Sequence, residues 1–323
     1  MKKAMVTGGS GFLGGELIRQ LRAQDVEVMA LARSEKAADR VRSLGATPVM
    51  GDLFDRDAVR EGMAGCNAVF HSAAYVDVWG SLDEAHRINV LGTSALLDAA
   101  RAAGVPRFVH VSTEAVLVDG RPILDADETV PRPADPLGIY PITKGQAEVR
   151  VLTANSADLV TTIVRPRFIW GKGDTTLLPK LLEAAKAGQF RWIGGGHHLT
   201  STCHVSNVCE GLILAAERGK GGAIYFVTDG EPIEFRAFLT AMARTQGGDL
   251  GDKTLPKWAA DMAAVASEAV WRTFKLAGRP PITRTVVALF GQEITVNDAK
   301  ARRELGYTSK VTREMGLAEM TST

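Results

Sequence analysis

A glycine cluster near the N-terminus constrains the fold of this chain more than any other feature of its sequence. Residues 7–14 read Thr-Gly-Gly-Ser-Gly-Phe-Leu-Gly, and they lie between an apolar segment and an amphipathic one. A strand, a glycine-rich turn and a helix in this order form the dinucleotide-binding pattern, in which glycines permit a tight turn and a close approach of the backbone to a pyrophosphate. The start of the helix then faces the phosphates with its positive dipole end. The residues predicted to form this part of a cofactor site are Gly8, Gly11, Phe12, Leu13 and Gly14.

Apolar strands and amphipathic helices alternate through the first half of the chain. Several of the strands are apolar on both faces, which is typical of a parallel sheet covered by helices on both sides. The sequence therefore predicts an α/β protein with a doubly wound, parallel Rossmann sheet. The predicted strands are 3–7, 26–32, 47–50, 68–72, 108–112 and 160–165, and the predicted helices are 12–23, 34–44, 57–63, 83–103 and 140–154.

The pattern changes after residue 165, where loops lengthen and helices later dominate. Residues at about 205–227 have the pattern of a helix and a strand, which we expect to return to the first sheet. We therefore expect an NADP-binding Rossmann domain from residues 1–165 plus about 205–227. A smaller, discontinuous substrate-binding domain is expected from residues 166–204 and 228–323.

Charge and cysteine content exclude several classes of function. Lys plus Arg number 38 and Asp plus Glu 37, so the chain lacks the basic excess that nucleic-acid binding requires. Three scattered cysteines cannot form a disulfide framework, and their spacing to nearby histidines fits no common zinc pattern, so we expect no metal and a cytoplasmic protein. The N-terminus does not resemble a signal peptide, and the sequence has no apolar run long enough for a membrane span.

The end of the second predicted strand bears on the choice of cofactor. NAD enzymes usually place an acid there to bind the ribose hydroxyls, but this strand ends in Ala32 and is followed by Arg33. A guanidinium can neutralise a 2′-phosphate, so the sequence favours NADP(H) over NAD(H). Asp52, after the third strand, is placed either to meet the adenine amine or to cap a turn, and the sequence leaves both readings open.

A candidate catalytic group follows in the stretch Tyr140-Pro-Ile-Thr-Lys144. Tyr140 and Lys144 are four residues apart and lie on one face of a helix. A nearby ammonium is expected to lower the phenol pKa and make the tyrosine an acid–base group. The fifth strand ends in Ser112 and Thr113, at the sheet edge where such proteins bind ligands, so one of these hydroxyls could hold the substrate oxygen.

Together these stretches resemble the extended short-chain dehydrogenase/reductases, and within them the 3β-hydroxysteroid dehydrogenase-like branch. The resemblance covers nearly the whole chain and includes the later segments 279–284 and 299–307. The matching motifs are Thr7-Gly8-x-x-Gly11-x-x-Gly14, Asp52-Leu53, His71-x-Ala73-Ala74, Asn89-Val90-x-Gly92-Thr93, Ser112-Thr113, Tyr140-Pro141-x-Thr143-Lys144 and Arg165-Pro166.

The resemblance implies a role for each candidate. Tyr140 would be the acid–base, Lys144 its electrostatic partner, and Asn89 a support for the proton relay. Counting residues along the family pattern places the catalytic hydroxyl at Thr113 and leaves Ser112 as the alternative. Only one of the two can serve, because neighbouring strand residues face opposite ways. The remaining residues implied in cofactor binding are Leu53, Ala73, Ala74, Pro166 and Phe168. The helices at 83–103 and 141–154 are those that relatives use to form homodimers.

These observations predict an NADP-dependent enzyme that interconverts a secondary alcohol and a ketone or aldehyde on a bulky apolar substrate, sterol-like or 2-alkyl-3-keto acid-like. A nucleotide-sugar epimerase or dehydratase on the same fold is the first alternative, although a dehydratase would want an acidic pair where Glu114 is followed by Ala115. A catalytically silent NADP-binding sensor is the second alternative. The segment 256–276 is amphipathic, and could be a lid over an apolar pocket or a helix on a membrane surface.

Overall fold

A computed structural model gives the architecture of residues 1–321, the part of the chain that it describes. The strands β1–β15 are Lys3–Thr7, Glu27–Ala32, Thr47–Met50, Ala68–His71, Arg107–Val111, Ile123–Ala126, Val160–Pro166, Ile169–Trp170, Trp192–Ile193, Leu199–Thr200, Cys203–His204, Ala223–Val227, Ile233–Glu234, Thr254–Leu255 and Ile294–Val296. The helices α1–α13 are Phe12–Arg22, Glu35–Ser43, Arg56–Met63, Leu82–His86, Gly92–Ala102, Ile139–Thr153, Leu178–Lys186, Val205–Arg218, Phe235–Arg244, Lys257–Thr273, Arg284–Phe290, Ala299–Leu305 and Arg313–Thr321.

Seven strands form the central sheet, in the order β12-β7-β5-β4-β1-β2-β3, and their pairings are parallel. The chain winds from β1 outwards to β3 and then crosses back to place β4 on the other side of β1. The strand order therefore reverses between β1 and β4, and the crevice beyond their carboxyl ends is where doubly wound sheets bind ligands. The predicted α/β class and parallel Rossmann sheet are confirmed.

Two apolar layers cover the sheet. One face packs against α1 and α8, through side chains such as Leu17 and Leu212, and the other against α3, α5 and α6, through Met63, Leu96 and Val151. These five side chains are buried completely. Burial of one such side chain contributes about 1.5–3 kcal/mol, so the two layers fix the strands whose ends form the site.

The segment after residue 204 joins the sheet as its sequence pattern indicates. Helix α8 packs on α1, and β12 pairs in parallel with β7. The rest of the second half builds a smaller sheet, β13-β10-β15-β6, and an aromatic cluster around Trp170, Trp192 and Phe238. Strand β6 lies within residues 1–165 but belongs to this smaller sheet. The division into two domains stays a prediction.

The long helix predicted at 83–103 is interrupted. It begins as α4, passes through a π-helical turn at Arg87–Leu91, and continues as α5. A π turn contains one more residue than an α turn and is frequent at functional sites. It carries Asn89, whose side chain is buried towards the sheet edge.

The three cysteines are free and buried on both sides of the sheet. Cys66 lies in the layer below α3 and α5, whereas Cys203 and Cys209 lie in the layer around α8. Burial raises the pKa of the Cys66 thiol to about 11 and the pKa values of the other two well above their usual range. Within residues 1–321, no helix has both the length and the hydropathy needed to cross a bilayer.

Candidate active site

The glycine turn after β1 provides an anion cradle at the N-terminus of α1. This helix starts at Phe12 with no side-chain cap, so its first backbone N–H groups are available to a ligand. Gly8 has a φ of +73°, and a Cβ there would meet the Ala73 amide nitrogen at 2.9 Å. A Cβ on Gly14 would overlap the Gly8 carbonyl. The turn thus needs its glycines for its own backbone packing, and the resulting surface fits a dinucleotide pyrophosphate.

The two residues predicted for the adenosine end lie at the carboxyl ends of neighbouring strands. Arg33 follows the buried Ala32 at the end of β2 and is exposed. Asp52 follows β3, and its Oδ1 accepts a hydrogen bond from the Phe54 amide at 2.7 Å. Asp52 therefore holds a turn, as one of the two sequence readings proposes, while Leu53 packs beside Gly92 of α5.

The loop after β4 abuts the glycine turn. Ala73 donates its backbone N–H to Thr7 Oγ1 at 3.3 Å, which brings Ala73 and Ala74 to the crevice. His71 instead points into the sheet, where its Nδ1 lies 2.8 Å from Thr7 Oγ1 and its Nε2 2.9 Å from Thr93 Oγ1. Burial, helped by the nearby Lys144, lowers the pKa of His71 to about 3, so the ring is neutral. His71 thus supports the crevice through its buried contacts with Thr7 and Thr93.

Tyr140 and Thr113 meet at the carboxyl edge of the sheet. Tyr140 lies in the first turn of α6, which begins after Gly138 at a φ of +103°. The Thr113 side chain lies beside its phenol. Burial and the Glu114 carboxylate raise the Tyr140 pKa, and the neighbouring Thr113 side chain opposes that rise. This is a correction: the sequence argument expected Lys144 to lower the phenol pKa, but burial beside Glu114 controls it.

Ser112 and Thr113 face opposite sides of the chain. Ser112 donates from Oγ to Glu148 Oε1 at 2.6 Å, under α6. Thr113 donates from Oγ1 to Glu114 Oε2 at 2.8 Å and accepts from the Ala115 amide at 3.1 Å. The hydroxyl beside Tyr140 is therefore that of Thr113, while Ser112 is committed to a buried carboxylate.

Lys144 lies one helical turn after Tyr140, as its spacing predicts. Its Nζ points down to the sheet, where it donates to the Val111 carbonyl at 2.6 Å and lies 3.0 Å from His110 Nε2. Burial lowers the pKa of Lys144 to about 7, against an opposing effect of Glu148. The ammonium can therefore gain or lose its proton near neutral pH, which suits a group that takes part in proton movement.

Asn89 joins the loop after β4 to helix α6. Its Oδ1 accepts from the Tyr75 amide at 2.7 Å, and its Nδ2 donates to the Tyr75 carbonyl at 2.9 Å and to Thr143 Oγ1 at 3.0 Å. The π turn directs this side chain inwards, next to the residue that precedes Lys144. Asn89 thus holds the loop after β4 and helix α6 together on two sides of the crevice.

Glu114 is engaged in a buried ion pair. Its Oε1 accepts from Arg167 Nη1 at 2.7 Å, and its other oxygen accepts from Thr113. Arg167 also donates to the Leu289 carbonyl at 2.9 Å, which ties this pair to α11. Both carboxylate oxygens are occupied, and Ala115 stands where a dehydratase would want a second acid. The geometry therefore gives no support to the dehydratase alternative.

Pro166 and Phe168 lie at and just after the carboxyl end of β7, at the same edge of the sheet. Pro166 ends β7 and is buried, whereas Phe168 has a φ of +48° and packs its ring against Phe235, Phe238 and Phe290. The Phe168 ring thus belongs to the aromatic cluster of the second half. Its part in cofactor binding stays a prediction.

Four residues at this site escaped the sequence analysis as functional candidates: His110, Glu148, Arg165 and Arg167. Glu148 and Arg165 form a buried double hydrogen bond behind Ser112, at 2.6 and 2.8 Å. The available signal was polarity in apolar surroundings, since His110 and Arg165 interrupt strands that are otherwise apolar, and Glu148 lies four residues after Lys144 on the same helix face.

The histidines near residue 200 take structural positions. His197 lies 2.7 Å from Glu234, His198 stacks on Phe235, and His204 accepts from the Ser206 amide at the start of α8. Among residues 1–321, no group of three His, Cys, Asp or Glu side chains is arranged to hold a metal ion.

Sequence comparisons place the chain beside known oxidoreductases. The profile of the 3-beta hydroxysteroid dehydrogenase/isomerase family matches residues 5–257. A 4-hydroxy-2-methyl-3-oxo-4-farnesyl-3,4-dihydroquinoline-1-oxide ketoreductase from Stigmatella aurantiaca is 52% identical over 98% of this chain and 94% of its own length. A 2-alkyl-3-oxoalkanoate reductase from Stenotrophomonas maltophilia (strain K279a) is 37% identical over 98% of both chains.

A solved structure carries the same fold with a cofactor. The dTDP-glucose 4,6-dehydratase DesIV from Streptomyces venezuelae, crystallised with NAD, superposes with a TM-score of 0.74 at 25% identity. The match covers 99% of this chain and 95% of the other. The glycine cradle, the edge of the sheet and helix α6 thus lie in a fold that holds a nicotinamide dinucleotide in that protein.

Proposed function

This chain belongs to the 3-beta hydroxysteroid dehydrogenase/isomerase family and is an NAD(P)-dependent oxidoreductase, and from that premise we propose that it reduces a ketone on a bulky apolar substrate with NADPH. The observation that carries the proposal is that the Tyr140 phenol and the Thr113 side chain lie side by side at the switch-point edge of the sheet, one helical turn from Lys144. This places a proton donor and a second hydroxyl side by side, beyond the glycine cradle.

This geometry supports the following roles for the chain's own residues. The substrate carbonyl oxygen would accept a hydrogen bond from Tyr140, and a second one from Thr113 when its hydroxyl turns away from Glu114, which polarises the carbon–oxygen bond. When bound, the reduced nicotinamide would supply a hydride to the carbonyl carbon. The Tyr140 hydroxyl gives its proton to the oxygen, so that the ketone gains one hydride and one proton and becomes a secondary alcohol. Lys144, with a pKa of about 7 and its Nζ at the Val111 carbonyl one helical turn away, would help to restore the Tyr140 proton after the reaction.

Apolar side chains beside Tyr140 support the substrate class. Val78, Leu137 and Phe290 are half-buried and pack with Tyr140 against a buried apolar cluster. The two relatives reported above are named for a farnesylated quinoline ketone and for 2-alkyl-3-oxoalkanoates, both of which combine a ketone with a long apolar group. We therefore propose a ketone carried on a prenylated or alkylated skeleton.

The cofactor preference rests on Arg33. Its guanidinium is exposed immediately after β2, next to Ala32, which stands at the position where an acid would bind the ribose hydroxyls of NAD. Arg33 instead offers a charge to a 2′-phosphate, which supports NADPH as the reductant. The homodimer expected from helices α4–α6 and the cytoplasmic location stay predictions.

The direct test is single-turnover reduction by Tyr140→Phe. Loss of the phenol removes the proton donor but keeps the ring, so we expect the rate of NADPH oxidation to fall at least about 10²-fold. The measurement follows NADPH absorbance after mixing with a farnesylated quinolone ketone or a 2-alkyl-3-oxoalkanoate, because single turnover excludes product release. Equal rates for the parent and the variant on a substrate that the parent reduces would reject this mechanism. NADPH binding without turnover on any such ketone would favour the sensor alternative.

A further inference from the structure

A buried chain of three polar groups starts at the Thr113 hydroxyl. Thr113 Oγ1 donates to Glu114 Oε2 at 2.8 Å, and Arg167 Nη1 donates to Glu114 Oε1 at 2.7 Å. The side chains of Glu114 and Arg167 are each 4% exposed. Replacing such a buried ion pair with apolar side chains is often neutral for stability, so stability alone does not explain why a carboxylate lies beside the Tyr140 and Thr113 hydroxyls.

The carboxylate of this pair, and not its guanidinium, acts on the reacting groups. Arg167 bonds to the carboxylate oxygen that the hydroxyl leaves free, and its Nη2 also donates to the Leu289 carbonyl at 2.9 Å and to Thr200 Oγ1 at 3.3 Å. Burial and the Glu114 carboxylate raise the pKa of the Tyr140 phenol, so the phenol experiences the negative charge of the pair. The pair therefore presents its negative end to the site.

The basic side chains described around the crevice already have partners or are neutral. Lys144 Nζ donates to the Val111 carbonyl at 2.6 Å, and Arg279 donates to Asp77 at 2.7 Å. His198, just before β10, is neutral because burial, together with the nearby guanidinium, lowers its pKa to about 4. These groups therefore do not offset the negative charge that faces the reacting hydroxyls.

The two kinds of ketone in the names of the relatives reported above differ in charge. A 2-alkyl-3-oxoalkanoate is an anion, with one carbon between its carboxylate and its ketone carbon, whereas the farnesylated quinoline ketone has no carboxylate in its name. When the ketone oxygen of the anion meets Tyr140 and Thr113, its carboxylate is held close to Glu114, one hydrogen bond beyond Thr113. Like charges in a buried site repel strongly, because water no longer screens them.

We propose that Glu114 is a specificity-determining residue, which rejects 3-oxo acids and selects an uncharged ketone on an apolar skeleton. This selection rests on the proposed function, because it concerns the ketone that Tyr140 reduces. Specificity of this kind combines repulsion of the wrong substrate with attraction of the right one. Glu114 supplies the repulsion, and the half-buried apolar side chains beside Tyr140 supply the attraction. Arg167 is a positioning residue, since it acts by holding the carboxylate in place.

The test compares a 2-alkyl-3-oxoalkanoate, freshly released from its ester, with the corresponding methyl ester, which has the same skeleton without the charge. NADPH oxidation by the full chain gives kcat/KM for each compound, and quenching of tryptophan fluorescence gives its Kd. We expect the parent to prefer the ester at least about tenfold in both measurements, because the acid brings a second negative charge next to Glu114.

Glu114→Gln removes the negative charge and leaves the Arg167 guanidinium without its partner. We expect the preference for the ester to fall at least about tenfold, because the guanidinium then attracts the carboxylate of the acid. Glu114→Gln combined with Arg167→Met removes both charges, a change that buried pairs often tolerate. The double variant should also lose most of the preference, and it provides the test if the single variant does not fold.

Glu148→Gln is the matched control, because Glu148 forms another buried pair, with Arg165, behind Ser112. Its preference for the ester should equal that of the parent. Selection by Glu114 is overturned if the parent binds or reduces the acid as well as the ester, or if Glu114→Gln and Glu148→Gln keep the same preference. A parent that binds the ester more tightly than the acid but reduces neither contradicts the proposed function and leaves the charge selection in place.

Discussion

At the residue scale, the neighbouring hydroxyls of Ser112 and Thr113, just after β5, have different expected roles. We expect Thr113→Val to lower single-turnover reduction by about tenfold or more with NADPH affinity nearly unchanged, because it removes the hydroxyl beside Tyr140. Ser112→Ala should retain most of the rate but reduce the free energy of unfolding by about 1–2 kcal/mol, because the Glu148 carboxylate loses a buried donor. The pair of measurements is turnover and urea unfolding. The opposite ranking in turnover would transfer the catalytic role to Ser112.

Lys144 connects the site to the pH dependence of stability. Burial lowers its pKa from the usual 10.5 to about 7, so between these values the unfolded chain holds a proton that the folded chain does not. The free energy of unfolding therefore rises with pH across this window and gains nothing from Lys144 below it. We expect urea unfolding at about pH 7 and about pH 9 to show a rise that is smaller in Lys144→Met, by on the order of 2 kcal/mol.

The exposed Lys186→Met is the control for Lys144→Met, because it removes the same charge from the surface of α7. Its pH dependence should match that of the parent. If Lys144→Met also matches the parent, Lys144 is charged throughout this range in the folded protein.

At the scale of elements, the pairing of Glu148 with Arg165 holds helix α6 on strand β7. Both side chains are almost completely buried, with two hydrogen bonds between them. Glu148→Ala leaves the Arg165 guanidinium buried without its partner, and we expect a loss of about 3–5 kcal/mol in the free energy of unfolding. Asp39→Ala is the matched control, because it breaks an exposed pair with Arg42 and should cost less than about 1 kcal/mol. Similar losses in urea unfolding would mean that the buried pair is dispensable.

The elements also show how far the sequence reaches. Apolar periodicity located the strands of the sheet and its main helices because buried faces must repeat with the period of their element. It could not reveal the π turn at Arg87–Leu91, since five residues are too few to separate two helical periods. It also could not assign Ile123–Ala126, because pairing with β15 is a contact across 170 residues that leaves no local pattern.

The sequence could predict those parts of the site that a motif with a fixed residue spacing specifies. It could not predict the parts that depend on the direction in which a side chain points. The spacing of four positions from Tyr140 to Lys144 fixed their shared helix face. The spacing said nothing about the Lys144 Nζ, which bonds to Val111 and His110, nor about Glu114, which raises the Tyr140 pKa. Both depend on tertiary contacts between strands and helices that are distant in the chain.

For the molecule as a whole, cofactor binding should appear as stability. A ligand that binds the folded state alone raises the free energy of unfolding by RT ln(1 + L/Kd), where L is the free ligand concentration, about 2.7 kcal/mol when L is a hundred times Kd. We expect NADPH to raise the melting temperature more than NADH at equal concentration. Arg33→Ala should remove most of this difference, because it loses a charge-assisted hydrogen bond of about 1–3 kcal/mol. Arg40→Ala, on the exposed side of α2, is the control. Equal shifts by both cofactors in the parent would contradict the NADP preference.

The burial of the thiols on both sides of the sheet makes the protein its own unfolding reporter. An alkylating reagent reacts with thiolate, and Cys66, Cys203 and Cys209 have both raised pKa values and no route to solvent. Each cysteine can therefore be modified only when its own layer opens. Cys66 would record the opening of the α3 and α5 side, whereas Cys203 and Cys209 would record the α8 side. Equal modification rates at the three cysteines would mean that the two helical layers separate from the sheet together. Unequal rates would show which layer opens first.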